Sequence, residues 1–235
     1  MVMLPKKIMK PVSDVITGLS EVFIKMVDVI MKGAPFFVFA LLAGKLAEMA
    51  GDEPGRLVEI FKALGAYTTV TIAGLLFMIL VLYPSVMSYL ISRKTKLSFT
   101  ESWVYFMRGI RPAQLLAFST SSTAATLPVT MDCVRDNLGV DEEISSFVLP
   151  VGATVNMDGT ALYQTVAVIF MAQFHMIDLT IIQQATIILT ATLASIGAAS
   201  VPSAGLIMLI VVLESVGLNP AWIAIIFPVD RIIDM

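Results

Sequence analysis

A short polar stretch in the second half of the chain holds the residues best suited to chemistry. Asn156 and Asp158 lie in the segment from Pro150 to Thr160, with long apolar sequence on both sides. A charged side chain inside a membrane span needs a partner or a ligand. Amide, carboxylate and hydroxyl oxygens without Cys or His at metal spacing favour a hard cation, sodium, or a proton. A polar contact between helices is the alternative.

A second pair of carboxylates lies near the C-terminal end. Asp230 and Asp234 are four residues apart, so a helix would place them on one face. We expect that helix to start at Pro228, because the first turn tolerates proline. The pair either binds a ligand or forms a solvated surface at the chain end. His175, the sole histidine, marks a wet loop with Asp178 rather than a proton relay.

The composition is that of a membrane protein. Of 235 residues, 57% are hydrophobic and 14% charged, with a mean hydropathy of +0.89, whereas soluble domains are about 45–50% apolar and about 25% charged. The net charge of −3 excludes a nucleic-acid partner, and one cysteine cannot form an internal disulfide. Phosphate-binding glycine loops and hydrolase motifs are missing from the sequence, which therefore favours a protein that is not an enzyme.

Charge-free runs locate the first membrane helices. The run from Ala63 to Ser92 is long enough to cross a bilayer core of about 30 Å. Before it, Ser20 to Ala50 predicts a helix that begins amphipathic and becomes apolar. Lysines at 6–10 and basic residues at 93–96 flank an acidic loop at 51–59, so we expect a cytoplasmic N-terminus. Residues 1–97 thus form an N-terminal amphipathic segment and two transmembrane helices.

Two later segments cannot be simple spans. Pro112 to Met131 lacks charge but contains five consecutive hydroxyl residues and Pro128, where we expect a break. Leu179 to Leu213 would measure about 52 Å as one helix, longer than the bilayer core, and must break within 197–205. Each segment has a helix, a small or hydroxylated break, a proline and a shorter helix. We interpret this as an internal repeat; helices kinked at proline are the alternative.

The repeat predicts an inverted arrangement of hairpins. One full span, about 145–174, separates the two units, so they enter from opposite faces and their tips meet near the midplane. We therefore expect an all-α membrane protein in which residues 98–235 form the core. This core contains hairpin 1 (about 99–142), a helix (about 145–174), hairpin 2 (about 179–217) and the start of a last helix (about 219–235).

Three motifs in this order resemble the dicarboxylate/amino acid:cation symporters, the glutamate transporter family. They are Ser121-Ser122-Thr123-Ala124-Ala125-Thr126-Leu127-Pro128-Val129-Thr130, Asn156-Met157-Asp158-Gly159-Thr160-Ala161-Leu162-Tyr163, and Ala194–Gly197 with Val201-Pro202-Ser203-Ala204-Gly205. The resemblance runs from about Ser13 to Met235. It implies a C-terminal transport-domain fragment that begins with the family's fifth and sixth helices, followed by hairpin 1, the seventh helix, hairpin 2 and a truncated eighth helix.

The resemblance also implies ligand contacts. For substrate these are the main chain around Ser122, Thr123, the Thr160 hydroxyl, the Val201 backbone, and Asp234 for an amino group. For sodium they are Gly152 with Asn156, then Thr154 with Ser195 and Ile196, and then Asn156 with Asp158. Ser200 stands where several family members have glycine, which leaves sodium or proton coupling open. The arginine that reads an acidic substrate side chain would lie beyond Met235.

The resemblance implies a secondary active symporter of amino acids or dicarboxylates coupled to sodium or protons. We expect an elevator-type movement, a homotrimer at full length, lipid contacts, and a multi-pass location in a bacterial-type inner membrane. No organic cofactor is expected. Two other interpretations stay open: an intramembrane aspartyl hydrolase that uses Asp158 with Asp234, and a membrane subunit that does not transport.

Overall fold

The described part of the chain consists of helices joined by turns. In this computed structural model residues 54–235 are described throughout, and between residues 10 and 44 only scattered helical positions are described. The predicted amphipathic helix from Ser20 to Ala50 therefore lies largely outside the described residues. Within the described part the chain forms helices and turns without a strand. The predicted all-α fold is confirmed.

Nine α-helices follow one another in the continuous part of the described chain. They are α1 (Pro54–Phe77), α2 (Tyr83–Lys94), α3 (Phe99–Thr120), α4 (Thr123–Asp132), α5 (Glu142–Val155), α6 (Asp158–Phe174), α7 (Ile181–Ile196), α8 (Ala204–Ser215) and α9 (Ile223–Ile233). Two π-helical segments, Met78–Leu82 and Cys133–Asn137, follow α1 and α4, and a 3₁₀ turn, Pro220–Trp222, precedes α9.

The π-helical segment joins α1 and α2 into one long helix. The part of this long helix from Leu57 to Lys94 has 38 residues, and an 18-residue segment within it has a mean hydropathy of 2.2. Among the described residues this is the one helix whose length and composition suit a membrane crossing. It contains the charge-free run from 63 to 92, and most of its surface is not covered by the rest of the described chain.

Both hairpins begin with the same local device. Ser98 and Glu101 form a capping box at the start of α3, and Thr180 and Gln183 form another at the start of α7. Each box satisfies helix N–H groups that have no intrahelical acceptor. The bonds from Ser98 also hold the pKa of the exposed Glu101 carboxyl below its usual value. Capping therefore defines where each hairpin starts.

Hairpin 1, α3 and α4, is closed by hydrogen bonds at its base. Tyr105 Oη donates to Asn137 O at 2.9 Å, and Asn137 Nδ2 donates to Gly109 O at 2.8 Å. The tip is Ser121, in the left-handed region with φ 51°, followed by the cap of α4. The break lies in the hydroxylated stretch before the proline, as the pattern of the repeat predicts, and Pro128 itself lies inside α4. The chain turns earlier, where hydroxyl groups can satisfy the free backbone.

Hairpin 2, α7 and α8, turns through residues 197–203 as predicted. Its turn contains Pro202 and ends at Ser203, whose φ of 59° is also left-handed. Gly205 O accepts from Gln164 Nε2 at 2.9 Å, which joins α8 to α6. Two helical hairpins are thus present, and the interpretation of two merely kinked helices does not hold for these segments.

The span expected at 145–174 is divided in the structure. Asn156 and Met157 have non-helical backbone, with ψ of 75° and 59°, and they separate α5 from α6. α5 starts beside the base of hairpin 1 and α6 ends beside the base of hairpin 2, whereas both tips lie at the break between α5 and α6. The hairpins therefore approach the break from opposite ends of this pair of helices.

The last helix begins within the expected range of about 219–235, but not at Pro228. α9 starts at Ile223 and contains Pro228 inside it. The first-turn position belongs instead to Pro220, because the Asn219 side chain accepts from Ala221 N and caps the preceding 3₁₀ turn. α9 packs on α1 and α8. Its buried residues join the core formed chiefly by α6, α7 and α8.

Candidate functional site

The two hairpin tips touch each other. Ser122 Oγ donates to Ser200 O at 3.0 Å, and Ala124 N donates to the same carbonyl at 3.3 Å. Ser200 Oγ in turn donates to Ala153 O at 2.7 Å. One tip residue, Ser200, therefore links hairpin 2 both to hairpin 1 and to the last turn of α5.

A cavity of about 620 Å³ lies beneath these tips. Its polar and tip residues are Ser121, Ser122, Thr123, Thr160, Tyr163, Ala198, Ala199, Ser200, Val201, Asp230 and Asp234. Another groove of about 720 Å³, between α1 and α9, is lined without any ionisable side chain. The cavity under the tips is the better candidate for a polar ligand, because convergent polar groups in an apolar pocket define binding sites.

Helix N-termini border this cavity: Thr123, Gly159 and Ala204, in the first turns of α4, α6 and α8, line it. Of the C-terminal ends, the last turn of α3 lines the cavity, whereas α5 and α7 end at Val155 and Ile196, outside the lining. Free N–H groups at helix N-termini favour anions, and free carbonyls at C-termini favour cations. One small region can thus hold a carboxylate and, beside it, a cation.

The predicted carboxylate pair splits into two roles. Asp230 is 5% exposed, and its Oδ1 accepts from Tyr163 Oη at 2.7 Å. Asp234 Oδ2 accepts from Ser203 N at 2.9 Å, so this carboxylate holds the end of the hairpin 2 tip. Both line the cavity. Neither carboxylate is merely a solvated group at the chain end.

Asp158 lies outside the cavity lining, on the side that faces α2. Tyr83 Oη donates to Asp158 Oδ2. With its amide oriented by hydrogen bonding, Asn156 Nδ2 donates to Asp158 Oδ1 at 2.8 Å and to Oδ2 at 3.1 Å. The structure therefore brings together the two residues that the sequence singled out and adds a tyrosine from another helix.

The other expected cation ligands lie at two helix ends. Gly152 and Thr154 are in the last turn of α5, and Ser195 and Ile196 end α7, which contacts α5. Thr154 Oγ1 donates to Val151 O at 3.0 Å, and Ser195 Oγ donates to Thr192 O at 2.8 Å. Each hydroxyl donates its only proton to a carbonyl of its own helix, so the lone pairs of its oxygen stay available to coordinate a cation. Gly152 O already accepts from Asn156 N at 2.9 Å.

The expected substrate contacts surround the cavity. Ser122, Thr123, Thr160 and Val201 all line it together with Asp234. Ser122 also caps α4, because its Oγ accepts from Ala125 N. The structure thus gathers all five residues around one space, although they come from four separate segments of the chain.

Sequence reasoning missed two residues of this region. Tyr83 lies within a charge-free run that has the composition of an ordinary membrane helix. A tyrosine next to Pro84 is the one feature there that could have drawn attention to it. Gln164 is fully buried and reaches Gly205 O. A glutamine in the middle of apolar sequence is a detectable signal, since such a residue needs a hydrogen-bond partner.

The aspartyl hydrolase interpretation finds no support in the geometry. Such chemistry requires two carboxylates close enough to share a proton. Asp158 bonds to Tyr83 and Asn156, whereas Asp234 bonds to Ser203. Among the described residues no hydrogen bond joins the two carboxylates. Opposed hairpins that meet at a broken helix are instead the architecture of secondary transporters.

Comparison with known proteins agrees with this class. The profile of the Sodium:dicarboxylate symporter family matches residues 1–235. The chain is 44% identical to Excitatory amino acid transporter 1 of Ambystoma tigrinum over 225 residues, 96% of this chain and 39% of that protein. It is 45% identical to Excitatory amino acid transporter 1 of Mus musculus over 217 residues, 92% of this chain and 38% of that protein.

A third relative, Excitatory amino acid transporter of Caenorhabditis elegans, is 42% identical over 216 residues, 92% of this chain and 40% of that protein. The chain therefore spans about two fifths of the length of these curated relatives. The chain belongs to the sodium:dicarboxylate symporter family. Its family is one of membrane transporters and not of enzymes, and the predicted family resemblance is confirmed.

Proposed function

We propose that this protein is a secondary symporter that carries an amino acid or a dicarboxylate together with sodium. The observation that carries the proposal is the meeting of two opposed hairpin tips above a polar cavity at a helix break. Backbone without helical hydrogen bonds is tolerated at membrane depth only where it lines a cavity or is buried in protein. The backbone of both tips meets this condition, because it lines the cavity.

The substrate would bind in the cavity between charges of opposite sign. Its carboxylate would face the N-terminus of α4, where Ser122 and Thr123 line the cavity and the main-chain N–H of Thr123 would donate to it. An ammonium group would face Asp234. Thr160 and Val201 would contact the remainder of the substrate. This arrangement suits a small zwitterion, including an acidic amino acid, and disfavours a large apolar ligand.

The coupling cation would bind at the carbonyl ends of α5 and α7. One group of ligands is Asn156 and Asp158, with Gly152 nearby. The other is Thr154 with Ser195 and Ile196. Oxygen-only ligands suit sodium, and a proton on Asp158 is the alternative coupling ion. Because both groups adjoin the hairpin 2 tip, a bound cation would stabilise the same tip that closes over substrate.

Linkage through that shared tip would couple the binding of cation and substrate. If the cation raises the affinity for substrate by some factor, substrate raises the affinity for the cation by the same factor. Asp234 and Ser200 tie the tip to α9, hairpin 1 and α5 in the structure described here. We infer that the tip opens for loading and that the closed block then moves across the membrane in an elevator-type step.

The cellular arrangement follows from the charge pattern and the family. We propose a multi-pass protein with a cytoplasmic N-terminus, in an inner membrane of bacterial type, and a homotrimer surrounded by lipid. The long helix Leu57–Lys94 supports a membrane location. The positive residues that flank it at 93–96 support its orientation.

Uptake by the whole protein in liposomes tests the proposal. Radiolabelled aspartate, glutamate, serine and alanine would be offered with an inward sodium gradient, and choline at equal ionic strength would be the control. We expect saturable, sodium-dependent uptake of at least one of them. A proton gradient in choline buffer tests the alternative coupling ion. Uptake of none, under either gradient, would contradict the proposal.

Asp158→Asn tests the assigned cation site. In detergent, sodium should raise the melting temperature of wild-type protein more than choline does, because a ligand bound to the native state stabilises it. The variant should lose that difference. Asp178→Asn is the matched control, since Asp178 is an exposed carboxylate in the loop between α6 and α7. An unchanged sodium response in Asp158→Asn would remove Asp158 from the site.

A further inference from the structure

Tyr83 makes a contact that none of the expected site residues explains. Its hydroxyl donates to Asp158 Oδ2 across 75 positions in the sequence. The ring is 38% exposed and lies at the start of α2, inside an otherwise apolar stretch. An apolar helix therefore directs a hydroxyl at a carboxylate that is a candidate cation ligand.

The backbone explains how Tyr83 reaches Asp158. α1 packs closely and antiparallel on α6, and the contacts occur at glycines. A Cβ on Gly74 would lie 3.3 Å from Leu162 Cδ2, and one on Gly159 would lie 3.4 Å from Leu75 Cδ2. Continuing this register places Tyr83 beyond the first residue of α6. Helical side chains lean toward the N-terminus of their own helix, so the tyrosine ring leans back toward Asp158.

The π-helical segment Met78–Leu82 ends immediately before Tyr83. A π turn contains more residues than an α turn, so it changes the direction of the side chains that follow relative to those before it. Such single turns recur at functional sites. Here the π-helical segment sets the direction of Tyr83, the residue that contacts Asp158.

The chemistry of the contact leaves room for a cation. An ionised carboxylate offers about four lone-pair positions, and a tyrosine hydroxyl has one proton to donate. Tyr83 and the Asn156 amide together hold the carboxylate with two donor groups. Both partners are neutral, so the negative charge of Asp158 stays available. A lysine or arginine in place of Tyr83 would neutralise it.

We propose that Tyr83 is a positioning residue of the Asp158 cation site, which fixes the carboxylate rotamer so that a free edge faces the cation. This inference rests on the proposed function, because it presumes that Asp158 binds the coupling cation. It predicts that the hydroxyl, and not the ring, raises cation affinity.

Tyr83→Phe removes the hydroxyl and keeps the ring. The readout is the sodium concentration that gives half of the maximal rise in melting temperature, measured on the whole protein in detergent with choline balancing ionic strength. We expect this concentration to rise about three- to tenfold, because one hydrogen bond to a charged group is lost. Tyr89→Phe is the matched control, since Tyr89 lies on the same helix, 52% exposed, with its ring beside Arg93.

The same substitution in the Asp158→Asn background separates positioning from a general structural effect. If Tyr83 acts through the carboxylate, Tyr83→Phe causes no sodium-dependent change in the melting temperature once Asp158 is replaced. A shift that is the same at every sodium concentration reports only the hydrogen bond that the amide oxygen of Asp158→Asn can still accept. An equal loss of stability in both backgrounds would overturn the inference. So would a half-saturating concentration that is unchanged or lowered in the single variant.

The outcomes also distinguish this inference from the proposed function. If Asp158→Asn abolishes the sodium response while Tyr83→Phe leaves half-saturation at the wild-type value, the cation site stands and the role of Tyr83 is refuted. If Asp158→Asn keeps the wild-type response, the cation site itself is refuted, and the role of Tyr83 falls with it.

Discussion

At the scale of single residues, the hydroxyl of Ser122 has two partners. It accepts from Ala125 N at 3.3 Å as the cap of α4, and it donates to Ser200 O at 3.0 Å across the two hairpins. A hydroxyl can do both at once, because it has one proton and two lone pairs. The start of α4 and the contact between the tips therefore depend on the same atom.

Ser122→Ala should lower the free energy of unfolding by about 1–2 kcal/mol, the sum of a lost cap and a lost hydrogen bond. The melting temperature in detergent measures the effect. Ser119→Ala is the control, because that exposed hydroxyl bonds only to Leu116 O in its own helix. Equal melting temperatures for the two variants would show that the contact between the tips contributes no stability.

The residues that could be found from sequence are those whose chemistry conflicts with their surroundings. Asp158 and Asn156 were recognisable because a carboxylate and an amide interrupt apolar sequence. Tyr83 was not, because tyrosine is compatible with a membrane helix and its partner is 75 positions away. The different environments of Asp230 and Asp234 could not be predicted either, because they depend on tertiary contacts: Asp230 is buried and accepts from Tyr163, whereas Asp234 accepts from Ser203 in the hairpin 2 tip.

At the scale of elements, hairpin 2 packs on α6 through a position without a side chain. A Cβ on Gly205 would lie 3.0 Å from Thr160 Cγ2, and Gly205 O accepts from Gln164. Threonine is stiff at χ1 in a helix, so Thr160 cannot easily move aside. The closeness of α8 to α6, which shapes one wall of the cavity, therefore depends on glycine.

Gly205→Ala should destabilise the protein by about 1–3 kcal/mol through overpacking. Gly65→Ala is the matched control, since Gly65 also lies within a helix and its added Cβ would meet nothing within 4 Å. That variant should be neutral or stabilise the helix by up to about 1 kcal/mol. Thermal unfolding of both variants in the same detergent checks the difference, and a Gly205→Ala protein as stable as wild type would contradict the packing described.

The hairpins themselves could be predicted, but their exact turns could not. Length and the repeated small residues revealed two folded-back segments. The prolines do not mark these turns, since Pro128 and Pro228 both lie inside helices. The Ser122 hydroxyl caps α4, and the Asn219 amide oxygen caps the 3₁₀ turn that precedes α9. The break at 156–157 was missed because the polar stretch around it was interpreted as a set of ligands within one continuous span.

At the scale of the whole molecule, both hairpin tips border the cavity, so movement of a tip would change the access of a ligand to it. Ala199 is the residue for testing this, because it is exposed, lines the cavity and lies in the turn of hairpin 2. The one cysteine of residues 1–235, Cys133, is only 4% exposed, and labelling of the unsubstituted protein measures the reaction at any other cysteine.

Ala199→Cys should react with a membrane-impermeant thiol reagent from the outside, in the whole protein in liposomes. Substrate with sodium should slow the reaction, because both would hold the tip closed. Wild-type protein should label far less. Labelling that substrate does not slow, or that occurs only after denaturation, would contradict a movable tip above the cavity.

The contact between the tips also has a consequence for biosynthesis. Ser122 and Ser200 are 78 positions apart, which a ribosome adding about 5–20 residues per second needs about 4 to 16 s to translate. During that interval the first tip is made and its partner is not. Its unpaired backbone would be costly in lipid, so the newly made hairpin 1 must be sheltered, by water at the interface or by the insertion machinery, until the second tip arrives.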